Sequence, residues 1–356
     1  MPLFKDILSS EESLFMNTIA LDYDYIPKLV PYREQEQRYI AACIKPLLQK
    51  RNGKNLLIYG SPGVGKTVAV KHLFKELEEE TDDVIAIYVN CWQKNTPHKI
   101  ILEMCDQLDY KFTHNKNSDE LFKILRDMLN KKSVVFCFDE IDKLDDAGIL
   151  YQISEEIYRK TIILITNFKD WIAGLDERIK SRLTIEMLEF KPYNKAETKG
   201  ILRHRLDYAF VKGVWDEKAF DLIAEKTAEL KDIRTGLYLM RESGNEAENN
   251  ASRKITVEHV KVAIAKFDDF SIKKSTDLDE DERFILSIIK ENSGKKIGEL
   301  FKLYKEQGGK AGYKTFQRRI GKLEANSFIS VKKIVGGPEG STTIINYEKT
   351  KKLTEF

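Results

Sequence analysis

The chain has 356 residues, 42% of them hydrophobic and 33% charged, with a net charge of +2. That length exceeds the usual single-domain size of about 100–150 residues, so two or three domains are expected, each with its own core. The longest apolar runs are strand-sized, short of the roughly 18 residues of a membrane span. Met1-Pro2-Leu3-Phe4-Lys5-Asp6 has no basic start leading into an apolar stretch, so no membrane partner and a cytoplasmic location are expected. Cys43, Cys91, Cys105 and Cys137 show no C-x-x-C spacing and read as reduced thiols, with neither a zinc site nor a disulfide framework.

In chain order, an acidic, irregular start leads through Asp24-Tyr25-Ile26-Pro27 and Pro31-Tyr32-Arg33 into a helix carrying Ile40, Ile44, Leu47 and Leu48 at helical spacing. Strands are then expected at 56–59, 84–89, 134–138 and 162–166, with helical patterns between them. That alternation calls for a parallel sheet with helices on both faces and a ligand at the carboxyl ends of the strands.

The first strand runs into Gly60-Ser61-Pro62-Gly63-Val64-Gly65-Lys66-Thr67. A glycine-rich turn between a strand and a helix is a phosphate-binding loop: its backbone N–H groups cradle phosphates, Lys66 adds a point charge and the Thr67 hydroxyl ligates magnesium. Val134-Val135-Phe136-Cys137-Phe138-Asp139-Glu140 supplies the second half, an apolar buried strand that delivers Asp139 to magnesium and Glu140 to the attacking water. ATP and Mg2+ are therefore the expected cofactors, and ATP hydrolysis the expected activity. Asn167, after the strand 162–166, can help hold that water; its alternative role is to cap the next turn. Arg178 and Arg182, one helical turn apart, are each a candidate to reach a neighbouring subunit's γ-phosphate, and each equally suits a surface salt bridge. Arg234 can reach the γ-phosphate within its own chain.

After Phe190-Lys191-Pro192-Tyr193 the strand pattern stops. Asn194 with Glu197 forms a capping-box start, and helices follow through 220–226, 233–240 and 256–267. The polar segment 271–277 reads as a linker. The expected domains are 1–191, a nucleotide-binding domain with an N-terminal extension; 192–270, a helical lid; 271–278, a linker; and 279–356, a winged helix-turn-helix.

That last module carries the charge asymmetry. Ser293 to Val335 holds eleven basic residues against three acidic ones, which leaves the remainder of the chain mildly acidic and points one end at a polyanion. Its third helix, from Tyr313 to about Asn326, puts Phe316, Ile320 and Leu323 on one face and Lys314, Thr315, Gln317, Arg318, Arg319 and Lys322 on the others. With Lys332, Lys333 and the turn at Gly336-Gly337, these are the candidate DNA contacts.

The order of these pieces resembles the AAA+ superfamily and, within it, the archaeal replication initiators related to the eukaryotic origin recognition complex and the cell-division-cycle helicase loader. Asp24-Tyr25-Ile26-Pro27 with Pro31-Tyr32-Arg33-Glu34, Tyr88-Val89-Asn90-Cys91, Phe138-Asp139-Glu140-Ile141-Asp142-Lys143-Leu144 and Leu175-Asp176-Glu177-Arg178-Ile179-Lys180-Ser181 are similar to that family's signatures, as is Phe190-Lys191-Pro192-Tyr193. The resemblance implies that Tyr25, Ile26, Pro27 and Arg33 border the adenine, that Asn167 and Arg234 are sensors 1 and 2, and that the winged helix binds origin duplex DNA. It also implies self-association on DNA and recruitment of the replicative helicase. Lys231-Asp232-Ile233-Arg234 lacks the family's usual glycine before the aspartate. Ser181-Arg182 replaces a commoner serine pair and resembles the arginine finger of clamp loaders. A clamp-loader-like or mobile-element helper ATPase and an ATP-sensing transcriptional regulator are the alternatives from these modules.

Overall fold

The apolar run around Phe136 becomes β3 (Ser133–Asp139), all seven of whose residues are buried. The computed structural model of the chain describes residues 13–276, 279–325, 328–337 and 340–347. Beside β3 stand β1 (Leu56–Tyr59), β2 (Val84–Asn90), β4 (Lys160–Thr166) and β5 (Glu186–Glu189) in the order β2-β3-β4-β1-β5, every pair parallel. The period-2 pleat divides each strand between two cores. Phe136, Phe138 and Leu164 pack with α3 (Pro97–Gln107), α4 (Ser118–Leu129), α5 (Gly148–Glu156) and α6 (Glu177–Leu183) on one face. On the other, Val135, Cys137 and Ile163 pack with α1 (Glu34–Leu48) and α2 (Lys66–Glu80). Four strands fall where the apolar runs place them. The fifth, β5, has no such run: it is four residues long, and its two glutamates hide an edge strand.

The capping box expected at Asn194 is present: Asn194 Oδ1 accepts from Glu197 N at 2.9 Å, and Asn194 N donates back to the Glu197 carboxylate. It starts α7 (Lys195–Ala209), which packs on α8 (Glu217–Leu230); α9 (Ile233–Asn249) packs against both. The N-terminal extension, expected with the sheet, is fastened to these helices instead. Met16 N donates to Ala209 O, Phe15 stacks on Phe210 with ring centroids 4.7 Å apart, and Arg205 donates to Ala20 O.

The chain divides between Val257 and Glu258 into two compact units. At that boundary α10 begins (Val257–Thr276). It continues through residues 271–276, so most of the segment expected as a linker is helical. With no glycine or proline from Val257 to Thr276, nothing stops the helix. Residues 277 and 278 lie outside the described residues.

The second unit continues with α11 (Glu280–Glu291), β6 (Lys295–Lys296), α12 (Ile297–Glu306), α13 (Tyr313–Ala325) and the strands β7 (Ile329–Gly337) and β8 (Gly340–Tyr347). The three strands form an antiparallel sheet in the order β6-β8-β7. Three helices closed by a hairpin make a winged helix-turn-helix, whose core joins Ile285, Ile289, Leu300, Tyr304, Phe316, Ile320 and Leu323. Among the described residues no helix is long and apolar enough to cross a membrane.

Candidate functional site

The loop after β1 turns on glycines in a backbone conformation that strains other residues. Gly63 has φ +72°, and a Cβ there would meet the Asp232 backbone at 2.9 Å; Gly65 has φ +87° and lies under the Tyr193 hydroxyl. Both are in the left-handed region that L side chains avoid. Gly65 is the N-cap of α2, so Lys66 and Thr67 open the helix with its unpaired N–H groups facing the loop, a ready anion site.

Lys66, 7% exposed, spends its three N–H donors on Gly60 O (2.7 Å), Ser61 O (2.8 Å) and Asn167 Oδ1 (2.8 Å). Burial pushes its amine down to about 8, against the pull of Asp139. Asn167 follows β4, the neighbour of β3, and so faces the loop from the side the sheet order requires.

At the end of β3, Asp139 Oδ2 accepts from Thr67 Oγ1 at 2.6 Å, and Oδ1 accepts from Glu140 N at 2.8 Å. Glu140 has φ +52°, a turn that ends the strand and separates the two carboxylates. Burial, with Asp139 and Asp142 beside it, raises the Glu140 carboxyl above its ordinary value, the direction that strengthens a base. Thr67 and Asp139 thus present two hard oxygens in contact. That donor set fits magnesium, which keeps several waters and takes one or two protein oxygens beside phosphate. Among the described residues no cluster of three or more His, Cys, Asp or Glu would cage a metal by itself.

One cavity joins these groups to the lid. Pro62 to Thr67, Asp139, Glu140 and Asn167 line it from the core, Ile201, His204, Arg234 and Leu237 from α7 and α9, and Ile26, Pro27 and Val30 from the N-terminal segment. The apolar group suits a base and the polar end suits phosphates. Tyr25 and Arg33 do not line it. Tyr25 lies under the Arg205 guanidinium, and Arg33 is 5% exposed, donating to Val64 O and Lys191 O with its guanidinium 4.0 Å above the Tyr193 ring. Arg33 therefore clasps the phosphate loop to the start of the lid. Sequence reasoning gave no role to Tyr88, Asn90, Tyr193 and His204, which also line the cavity; the first three stand in the quoted family signatures, the only available signal.

Arg178 and Arg182 on α6 stand apart from this cavity. Arg178 pairs with Asp176, and Arg182, 57% exposed, pairs with Glu155 at 2.7 Å.

In the winged helix, the candidate DNA contacts split. Lys314, Gln317 and Arg318 are exposed and Thr315 is half-buried. Arg319 pairs with Asp281, and Lys322 reaches the buried Glu282 carboxylate at 2.7 Å. Those two bases tie α13 to the acidic first turn of α11, a pairing that no helical wheel of α13 alone would give, while the Lys322 side chain stays 60% exposed. Lys332, Lys333, Gly336 and Gly337 lie on β7, and the turn at 338–339 lies outside the described residues.

Residues 49–167 match the family described as AAA domain, and residues 199–265 the Cdc6 AAA+ ATPase-type lid domain. The chain is 32% identical to ORC1-type DNA replication protein 1 of Archaeoglobus fulgidus, covering 91% of this chain and 84% of that protein. It is 29% identical to ORC1-type DNA replication protein 2 of Methanothermobacter thermautotrophicus, covering 96% and 94%. Its fold is similar to the Aeropyrum pernix ORC1 protein solved in complex with DNA, with a TM-score of 0.71 and 26% identity over 97% of this chain and 96% of that one.

Proposed function

Because the chain belongs to the ORC1-type DNA replication protein family, we propose that it is an initiator that binds duplex DNA at replication origins under the control of ATP. The observation that carries this reading is the convergence of Lys66, Asp139, Glu140 and Asn167 from the core with Arg234 from the lid on one cavity. A γ-phosphate seated there touches both walls and favours one lid position, and a ligand shifts such an equilibrium only by its differential affinity for the two states.

The hydrolytic step follows from the same groups. Lys66 meets the outer phosphates as a point charge and Asn167 orients the water. Glu140 accepts the proton as the water oxygen bonds to the γ-phosphorus and the bond to the ADP oxygen breaks. Thr67 and Asp139 would hold a magnesium ion, which would supply positive charge beside the phosphates.

On DNA, Lys314, Gln317 and Arg318 enter the major groove, while Lys332, Lys333 and the hairpin at Gly336 and Gly337 follow the backbone. The Aeropyrum pernix relative was solved in complex with DNA, which supports a DNA-binding role. The reading extends to association with like subunits through Arg182 or Arg178. The exposed Arg182–Glu155 pair is weak enough to be exchanged for a phosphate. It extends also to recruitment of the replicative helicase. A β-hairpin following the helices of the second unit, where clamp loaders carry a helical collar, counts against the loader alternative.

The test is to incubate the protein with ATP and sheared DNA from its source genome, recover bound fragments at moderate salt and sequence them. Enrichment of a few loci that share a short element, lost in Lys314→Ala/Arg318→Ala, is expected. Uniform recovery would overturn origin binding in favour of a nonspecific loader, and many promoter-proximal sites would favour a regulator.

A further inference from the structure

The Asp139 carboxylate has a third donor that the chemistry above does not use. Tyr88 on β2 stands in register with Cys137 of β3. Its hydroxyl reaches two residues along the neighbouring strand to donate to Asp139 Oδ2 at 2.7 Å. That is the same oxygen that accepts from Thr67 Oγ1 at 2.6 Å. The Lys71 ammonium lies over the Tyr88 ring, 4.5 Å from its centroid. Asp139 is 3% exposed, so the protein sets its orientation with little help from solvent.

We propose that Tyr88 is a positioning residue that fixes the Asp139 carboxylate in the orientation in which it takes magnesium together with ATP; this rests on the ATP-site reading given above. Both hydroxyls on Oδ2 hold it in place, but they are not equivalent. On that reading Thr67 would itself ligate magnesium and would leave Oδ2 to do so. A neutral phenol beside a carboxylate is not the ligand that magnesium, a hard cation, selects. Tyr88 is then the donor that stays on Oδ2 when Thr67 is engaged, while Glu140 N holds Oδ1. Without the phenol, the carboxylate keeps one fixed oxygen and turns about its last torsion. Hydrogen bonds to metal-ligating carboxylates typically contribute 10–100-fold in metal affinity.

Tyr88→Phe removes the hydroxyl and leaves the ring beneath Lys71. Binding of a fluorescent ATP analogue is measured in EDTA and then across a magnesium titration, with melting temperatures of the full-length chain taken without nucleotide. The expected result is a magnesium half-saturation point raised about 10–100-fold, well beyond any loss of affinity measured in EDTA. An unchanged half-saturation point, or an equal loss of affinity with and without magnesium, overturns the role of Tyr88. Wild-type protein that binds the analogue in neither condition overturns the ATP-site reading itself. If the variant melts lower, the titration is run where both chains are folded, and the same criterion applies.

Discussion

Lys66 Nζ of the phosphate loop donates to Asn167 Oδ1 beyond β4 at 2.8 Å, joining the two ends of adjacent strands across the nucleotide cavity. On the proposed reading the two residues have different parts in the reaction, and truncation separates them. Lys66→Ala removes the phosphate-facing charge, so binding of a fluorescent ATP analogue is expected to disappear. Asn167→Ala leaves the loop intact, so binding stays within about threefold while phosphate release slows at least tenfold, the scale of losing one oriented polar group in a site. Equal loss of binding in both variants would show that Asn167 acts on the loop and not on the water.

Glu140→Gln separates binding from hydrolysis more sharply. Glutamine keeps the shape of the side chain but accepts no proton, and Asp139 and Thr67 are left in place. ATP affinity is expected to be retained and hydrolysis to fall about 10²–10⁴-fold, the usual contribution of a general base. Phosphate release in single-turnover conditions measures this directly, and activity close to wild type would remove Glu140 from the base role.

The parts of this site that were legible in the sequence are those fixed by local backbone geometry. Gly63 and Gly65 announce the loop because their left-handed φ values favour glycine, and the unbroken apolar strand before Asp139 announces its burial. The parts that were not legible are side-chain choices between distant elements. Arg33 sits in a segment that borders the cavity, yet its guanidinium is drawn to the Val64 and Lys191 carbonyls. Arg319 falls on the polar side of α13, but the carboxylate that claims it comes from α11, 38 positions earlier. Tyr88 stands in a signature stretch of a strand, but only the parallel register shows that its hydroxyl reaches Asp139. The short, acidic β5 was lost because packing at a sheet edge, and not hydrophobic periodicity, makes it a strand.

The division among the basic residues of α13 can be measured. Lys314→Ala and Arg318→Ala change exposed side chains. Each is expected to lower duplex-DNA affinity and to reduce the slope of log affinity against log salt by about 1 if it contacts phosphate. Asp281→Ala acts differently, because Asp281 accepts from the buried Tyr304 hydroxyl at 2.9 Å as well as pairing with Arg319. Stranding the hydroxyl and the guanidinium costs about 1–3 kcal/mol. Hydrogen exchange is expected to accelerate in α12 and α13, with residues 13–257 unchanged. Loss of DNA binding in Lys314→Ala/Arg318→Ala with faster exchange would mean that these two also support the fold.

The four thiols report on the nucleotide site without any change of sequence. Cys43, Cys91, Cys105 and Cys137 are all buried, and burial raises each thiol, Cys91 to about 12 with Asp139 and its acidic neighbours adding to the effect. Only the thiolate reacts, so Ellman's reagent at pH 8 is expected to find no fast thiol in the native chain and four after denaturation. The linkage runs in one direction. A thiol that titrates higher folded than unfolded contributes its full stability below pH 9, and that contribution is lost as pH rises from 9 toward 12, where the unfolded chain ionises first. Cys91 N donates to Asp139 O at 2.8 Å, so exposing Cys91 means opening the end of β3. Its slow modification is therefore a measure of local opening at the site, and saturating ATP with magnesium, which binds only the closed arrangement, is expected to slow Cys91 labelling while leaving Cys105, on α3, unchanged. Equal protection of both thiols would mean that they react only through global unfolding, and no protection of either would mean that the nucleotide does not bind where Asp139 and Lys66 meet.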